Sequence, residues 1–266
     1  MAHDHKQAKF LKPSVVSAAT IMIAVLLLIL APRIAQNPAY HNFADTRIIF
    51  SISNFWNVVS NIPFAVVGIY GLLKTARVST DQRTSFIIFC WGVLLVALGS
   101  GYYHLTPSNA TLMWDRLPMT IAFMALFAAI LGDSLLPRCD PLLVTTLVLL
   151  GLTSVVYWYF TERSGAGDLR PYAMVQFFPM IVIAALLIQR GLRSFPNSTL
   201  WYALALYALA KVLEYFDTEV YAVLGQMSGH ALKHLAAAAA SWFVIVAYVT
   251  SAPSTKALSD TGHLDE

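Results

Sequence analysis

Ser100 and His104 stand four residues apart, and so do His230 and His234. On a helix that spacing puts both members of a pair on one face, one turn apart. Asp115 follows His104 across a short join at Pro107. Two imidazoles one turn apart can share a metal ion. A third from another helix completes the three-ligand set of a catalytic zinc site, which keeps a fourth position for water. His104, His230 and His234 form the candidate ligand set. Asp115 then suits proton transfer with that water or the orientation of a histidine, and Ser100 suits a hydrogen bond to the water or to a developing oxyanion. A lone histidine at a helix end is ordinarily an interfacial or hydrogen-bonded residue, so the chemistry depends on whether all three meet.

The elements that must bring them together are apolar. Of 266 residues, 58% are hydrophobic and only 12% charged, with a mean hydropathy of +0.65; soluble domains are about one-quarter charged. This composition implies an all-α integral membrane protein. At ~20 residues per crossing, spanning segments fall at 15–34 and near 54–74, 84–103, 112–131, 141–160, 173–190, 199–216 and 230–250. That makes eight, joined by short stretches with turn residues such as Pro107, Pro137, Gly165, Pro196 and Gly225. The first apolar run exceeds the h-region of a signal peptide, about 7 to 15 residues, and no clean cleavage pattern follows it, so it reads as an uncleaved helix. A net charge of +3 with no basic cluster argues against nucleic acid as a partner. Cys90 and Cys139 lack both metal spacing and a disulfide framework.

Lys and Arg set the orientation. With both termini inside, the cytoplasmic side collects Lys6, Lys9, Lys12, Lys74, Arg77, Arg83, Arg138, Arg190, Arg193 and Lys256, against Arg33, Arg47, Arg116, Arg163 and Arg170 outside. The asymmetry follows the positive-inside rule. The same helix count puts His104, Asp115, His230 and His234 on one face, opposite the termini; an odd number of intervening helices would have parted them by the ~30 Å of a bilayer core.

Asn54, Asn57 and Asn61 form one helical stripe, read as interhelical hydrogen bonding. Lys211 and Glu214 are spaced to pair within a helix. The alanines at 236–240 suit close helix packing.

FWNVVSN at 55–61, the Ser100/His104 pair, WDRLPM at 114–119 and HALKH at 230–234 together resemble the alkaline ceramidase family. These are intramembrane zinc amidases of a superfamily that also includes adiponectin-type receptors and haemolysin-III-like proteins. The resemblance spans about 54 to 250. It implies a seven-helix catalytic bundle over 54–250, preceded by a tail, an extra helix and a connecting segment at 1–53 and followed by a polar tail at 251–266. It implies His104, His230 and His234 as zinc ligands, with Ser100 and Asp115 beside the metal-bound water, and a ceramide-type N-acyl sphingoid lipid, taken from the bilayer and hydrolysed to fatty acid and sphingoid base. Asn54 stands where a glutamate of the animal enzymes' calcium site is expected, and Asp45 is the one upstream carboxylate at 40–45, so calcium is not expected here. Arg116 stands where those enzymes usually carry an acidic residue. A prokaryotic-type branch fits both departures. The alternative is a non-catalytic receptor- or channel-like member of the superfamily with a structural zinc. A transporter is a third possibility, but the interiors of the helices bearing the site show no mid-membrane break of the kind transporters use.

Overall fold

The computed structural model describes residues 30–134, 141–189 and 191–251. The apolar run expected at 15–34 therefore lies almost wholly outside the described residues. From Arg33 onward the described chain is helical, with no strand beyond an isolated bridge between Ile49 and Ile52. The helices are α1 (Phe55–Val59), α2 (Ile62–Leu73), α3 (Thr80–Leu105), α4 (Asn109–Ser134), α5 (Pro141–Arg163), α6 (Arg170–Gln189), α7 (Asn197–Tyr215), α8 (Asp217–Leu224) and α9 (Gly229–Val249).

Six segments are long and apolar enough to cross a membrane: Phe55–Leu73, Asp81–Leu105, Asn109–Ser134, Pro141–Arg163, Arg170–Gln189 and Gly229–Val249. The chain is an all-α, multi-pass membrane protein. Helix α7 forms where a span was expected but is not among the six; Lys211 and Glu214 place two charges in its last turns. The short helix α8, with Asp217 and Glu219 in its first turn, occupies the join between the spans expected at 199–216 and 230–250.

Two local features shape the end of the bundle that carries the histidines. The first is the break between α1 and α2. Pro63 has no N–H to give the Val59 carbonyl, so the helix tightens there, with Asn61 N donating to Val58 O at 3.2 Å. Ser60 and Asn61 sit at that interruption. The second is the α3–α4 hairpin. Ser108 accepts a hydrogen bond from Thr111 N at 3.2 Å and so caps α4. Inside α4, Pro118 leaves the Trp114 carbonyl without its usual helical donor. Gly99 of α3 lies against that carbonyl, where any Cβ would collide with the Trp114 oxygen. The glycine permits a close helix crossing, and the crossing brings Ser100 opposite Asp115.

The main apolar core lies at the other end. Phe86 and Val93 of α3, Ile130 of α4, and Ile245 and Tyr248 of α9 are all buried there. Near the histidines a smaller cluster gathers Phe43, Tyr103, Leu112, Val155, Trp158 and Tyr172. Phe43 belongs to a strap, residues 36–47, that precedes the helices and includes a 3-10 turn at Pro38–His41 capped by Asn37.

Candidate metal centre and cavity

His104 comes from the last turn of α3, and His230 and His234 from the first two turns of α9. One nitrogen from each lies within 4.8 Å of the others. The rings are 4.9 to 5.1 Å apart between centroids and inclined to one another rather than stacked in parallel. All three are at least 95% buried, at 1%, 4% and 5% exposure. His104 Nδ1 and His230 Nε2 have no hydrogen-bond partner. A buried polar atom left so costs about 1–3 kcal/mol, and a shared cation would relieve it. Three converging imidazoles with unspent nitrogens are the donor set that zinc favours, so the residues fit such an ion.

Each histidine is held from behind. His234 Nδ1 lies 2.8 Å from Ser60 Oγ, whose own hydroxyl donates to the Asn57 carbonyl at 3.3 Å. With that donor spent, Ser60 accepts from Nδ1–H, and the tautomer leaves the Nε2 lone pair available. The backbone at His104 is tied by Asn54, whose Nδ2 donates to the His104 carbonyl at 2.8 Å. Asn54 itself has φ 49°, a left-handed conformation that asparagine tolerates. At the start of α9, Ser228 caps Ala231 N and Asp217 Oδ1 accepts from His230 N at 2.6 Å, a favourable charge at a helix N-terminus. Gly229 lets this turn press on α7, since a Cβ would strike the Leu213 carbonyl oxygen.

The other oxygen of Asp217 accepts from Ala44 N at 2.9 Å and so anchors the strap. Phe43 consequently lies over the centre, its ring 4.8 Å from that of His104 and 4.5 Å from that of His230. His41 turns away to Asn109 and Tyr103: Nε2 donates to Asn109 Oδ1, and Nδ1 accepts from the Tyr103 hydroxyl, each at 2.9 Å. Asp45 is occupied by Arg47, which reaches both carboxylate oxygens at 2.8–2.9 Å. Burial pushes the Asp45 carboxyl up, but the Arg47 side-chain and backbone hydrogen bonds outweigh it and hold it below its ordinary range.

Ser100 and Asp115, both buried, face each other on the wall of a cavity of about 370 Å³ that His234 also lines. Its far limb is apolar, with Phe89, Val93, Leu126, Ile183 and Val244. Wall residues run from His234 to Val244 on α9, about 15 Å at 1.5 Å per residue. The near limb is charged. Glu214 accepts from Lys211 Nζ at 2.7 Å and from Lys233 Nζ, and it also accepts from the Tyr40 hydroxyl at 3.0 Å.

The structure thus brings together the three histidines, with Ser100 and Asp115 on the adjoining wall. The asparagine stripe divides: Asn54 ties α3, Asn57 Nδ2 reaches the Asp45 carbonyl at 3.3 Å, and Asn61, at the α1–α2 break, donates back to Asn57 O at 2.7 Å. Ser60, Asp217, Phe43 and the Lys233–Glu214 pair escaped the sequence reading. Of these, Lys233 carried a signal: a lysine within an apolar helix needs a carboxylate, and Glu214 is available in the apolar segment before it, which folds as α7.

Residues 40–259 match the family model described as Ceramidase. No curated protein matches the chain.

Proposed function

The chain belongs to the ceramidase family, whose model covers residues 40–259 of its 266, and from that premise we propose a zinc-dependent intramembrane hydrolase of ceramide-type lipids. It cleaves the amide of an N-acyl sphingoid base to give a fatty acid and the free base. Membership implies an amidohydrolase, and the observation that carries the finer reading is the convergence of three buried histidines beside Ser100 and Asp115 on an amphipathic cavity.

His104, His230 and His234 would hold the ion through their ring nitrogens. When bound, zinc supplies Lewis-acid polarisation of the amide carbonyl and an acidified water. Asp115 accepts a proton from the attacking water and returns it to the departing amine nitrogen. The Ser100 hydroxyl donates to the carbonyl oxygen as negative charge builds on it. Phe43 keeps bulk water off the histidines from the strap side. The acyl tail occupies the apolar limb along α9, while the polar head rests among the charged groups at the near limb. The Lys and Arg asymmetry supports an orientation with both termini cytoplasmic and the metal centre towards the opposite face.

Purified protein tests this directly. Bound zinc near one per chain and fatty-acid release from ceramide are expected, both lost in His230→Ala. Zinc without hydrolysis of any N-acyl lipid would favour the non-catalytic reading; no bound zinc, or unchanged activity in the mutant, would overturn the hydrolase assignment.

A further inference from the structure

Arg116 is the one charged residue of WDRLPM that the hydrolysis does not use. It is only 5% exposed and lines the cavity. Its guanidinium carbon lies 4.1 Å from the ring centroid of Trp158, 4.6 Å from that of Tyr172 and 5.8 Å from that of Tyr40. Nη2 donates to Gln36 Oε1 at 2.7 Å, but Nη1 is buried with no partner. The Tyr172 hydroxyl is also within hydrogen-bonding reach of the guanidinium, but it is a neutral group and leaves the charge unpaired.

Among the described residues, no carboxylate forms an ion pair with Arg116. Lys211 and Lys233 already share Glu214. Asp115, the preceding residue, faces Ser100 instead. The aromatic faces offset part of the cost of burying this cation. They cannot supply what a guanidinium edge is built for, a pair of oxygens carrying negative charge. A buried charge without an opposite charge is expensive in a membrane protein and marks a site awaiting a partner.

Arg116 is on the strap side of the cavity, with Tyr40 and Tyr172, away from the apolar limb that suits the tail. Resting on the hydrolase reading, we propose that Arg116 selects the substrate head: its unpartnered edge binds an anionic oxygen group, a phosphate, sulfonate or carboxylate, on the head of the N-acyl lipid. The preferred substrate is then an anionic relative of ceramide rather than neutral ceramide itself.

The test uses lipids of one acyl chain: a ceramide, its 1-phosphate, and the free fatty acid. Binding to metal-stripped full-length protein in detergent is measured first, and kcat/KM on the metal-loaded protein second. Wild type is expected to bind the phosphate-headed lipid at least tenfold more tightly than the neutral one. Arg116→Gln should reduce that preference to under threefold, as should Arg116→Met, which keeps the contact with the rings and serves if the glutamine variant does not fold. In hydrolysis the loss should appear in KM and be at least threefold greater for the phosphate-headed lipid. Equal binding of both heads by wild type, or a preference that survives both substitutions, overturns the proposal. A free fatty acid with the same dependence on Arg116 also overturns it, by assigning the guanidinium to the product carboxylate. Binding that depends on Arg116 and on a charged head, without hydrolysis of any lipid, upholds the anion site and refutes the hydrolase reading instead.

Discussion

Ser60→Ala removes one hydroxyl that touches no substrate, and its effect should fall on the metal. The Ser60 oxygen lies 2.8 Å from His234 Nδ1 in a buried position, and Asn61 Nδ2, 3.5 Å away, is a donor and cannot accept the Nδ1 proton in its place. Without the hydroxyl, either Nδ1–H is buried unsatisfied or the proton moves to Nε2 and blocks the nitrogen that faces the other histidines. The first outcome costs about 1–3 kcal/mol, and at ~1.36 kcal/mol per tenfold this is about a 5- to 150-fold loss of zinc affinity. That range brackets the roughly 10- to 100-fold expected for a group that orients a metal-binding histidine. The measurement is a competition titration of metal-stripped protein against a chromophoric zinc chelator. Melting temperatures of the zinc-free forms serve as the control. Ser60→Thr keeps the hydroxyl and should stay within threefold of wild type. A Ser60→Ala protein that binds zinc as wild type does, while His234→Ala does not, would refute the assigned tautomer and the role of the α1–α2 break.

Two glycines of α3 make a matched pair. A Cβ at Gly99 meets the Trp114 carbonyl, whereas one at Gly101 meets nothing within 4 Å; Gly99→Ala should cost about 1–3 kcal/mol by overpacking, and Gly101→Ala should be neutral or stabilise by up to ~1 kcal/mol. Thermal melts of both variants check this, and equal effects would remove the case for a close α3–α4 crossing. Asp217→Ala leaves His230 N and Ala44 N without their shared acceptor, so zinc affinity should fall and protease cleavage within the strap should speed up; limited proteolysis that leaves the strap as protected as in wild type would count against that anchor. Arg170, chiefly through its side-chain hydrogen bonds, holds Asp168 at about 2, below its ordinary 3.8. The stabilisation is therefore complete above pH ~4 and lost as pH falls towards 2. Asp168→Asn should lower the melting temperature at neutral pH and narrow its gap to wild type in acid, and a gap that stays constant down to pH ~2 would refute the linkage.

Composition and periodicity alone fixed the class, because a bilayer demands long apolar helices whatever their packing. The sequence points to a meeting of the histidines only through a count of eight spans, with an even number between His104 and His230. Six segments among the described residues are long and apolar enough to cross, and α7 is not one of them, so that count stays an expectation. It is the folded chain that brings His104 and the His230/His234 pair, 126 residues apart in sequence, within reach of one ion. What counting could not supply was everything that depends on distances of a few ångströms. The break at Ser60 arises from Pro63, but its contact with His234 exists only because α1 and α9 lie side by side. Asp217 is in sequence only one more acid near a helix end; folding gives it two backbone donors, His230 N and Ala44 N, from far-apart parts of the chain. Phe43 lay in a stretch with no periodicity to read, and only chain packing sets it on the imidazoles. Arg116 shows the division most plainly. The sequence revealed its charge in an apolar setting, while the tertiary structure decided that Glu214 would be taken by two lysines, that Asp115 would face Ser100, and that the guanidinium would be left among aromatic rings with an edge unmet.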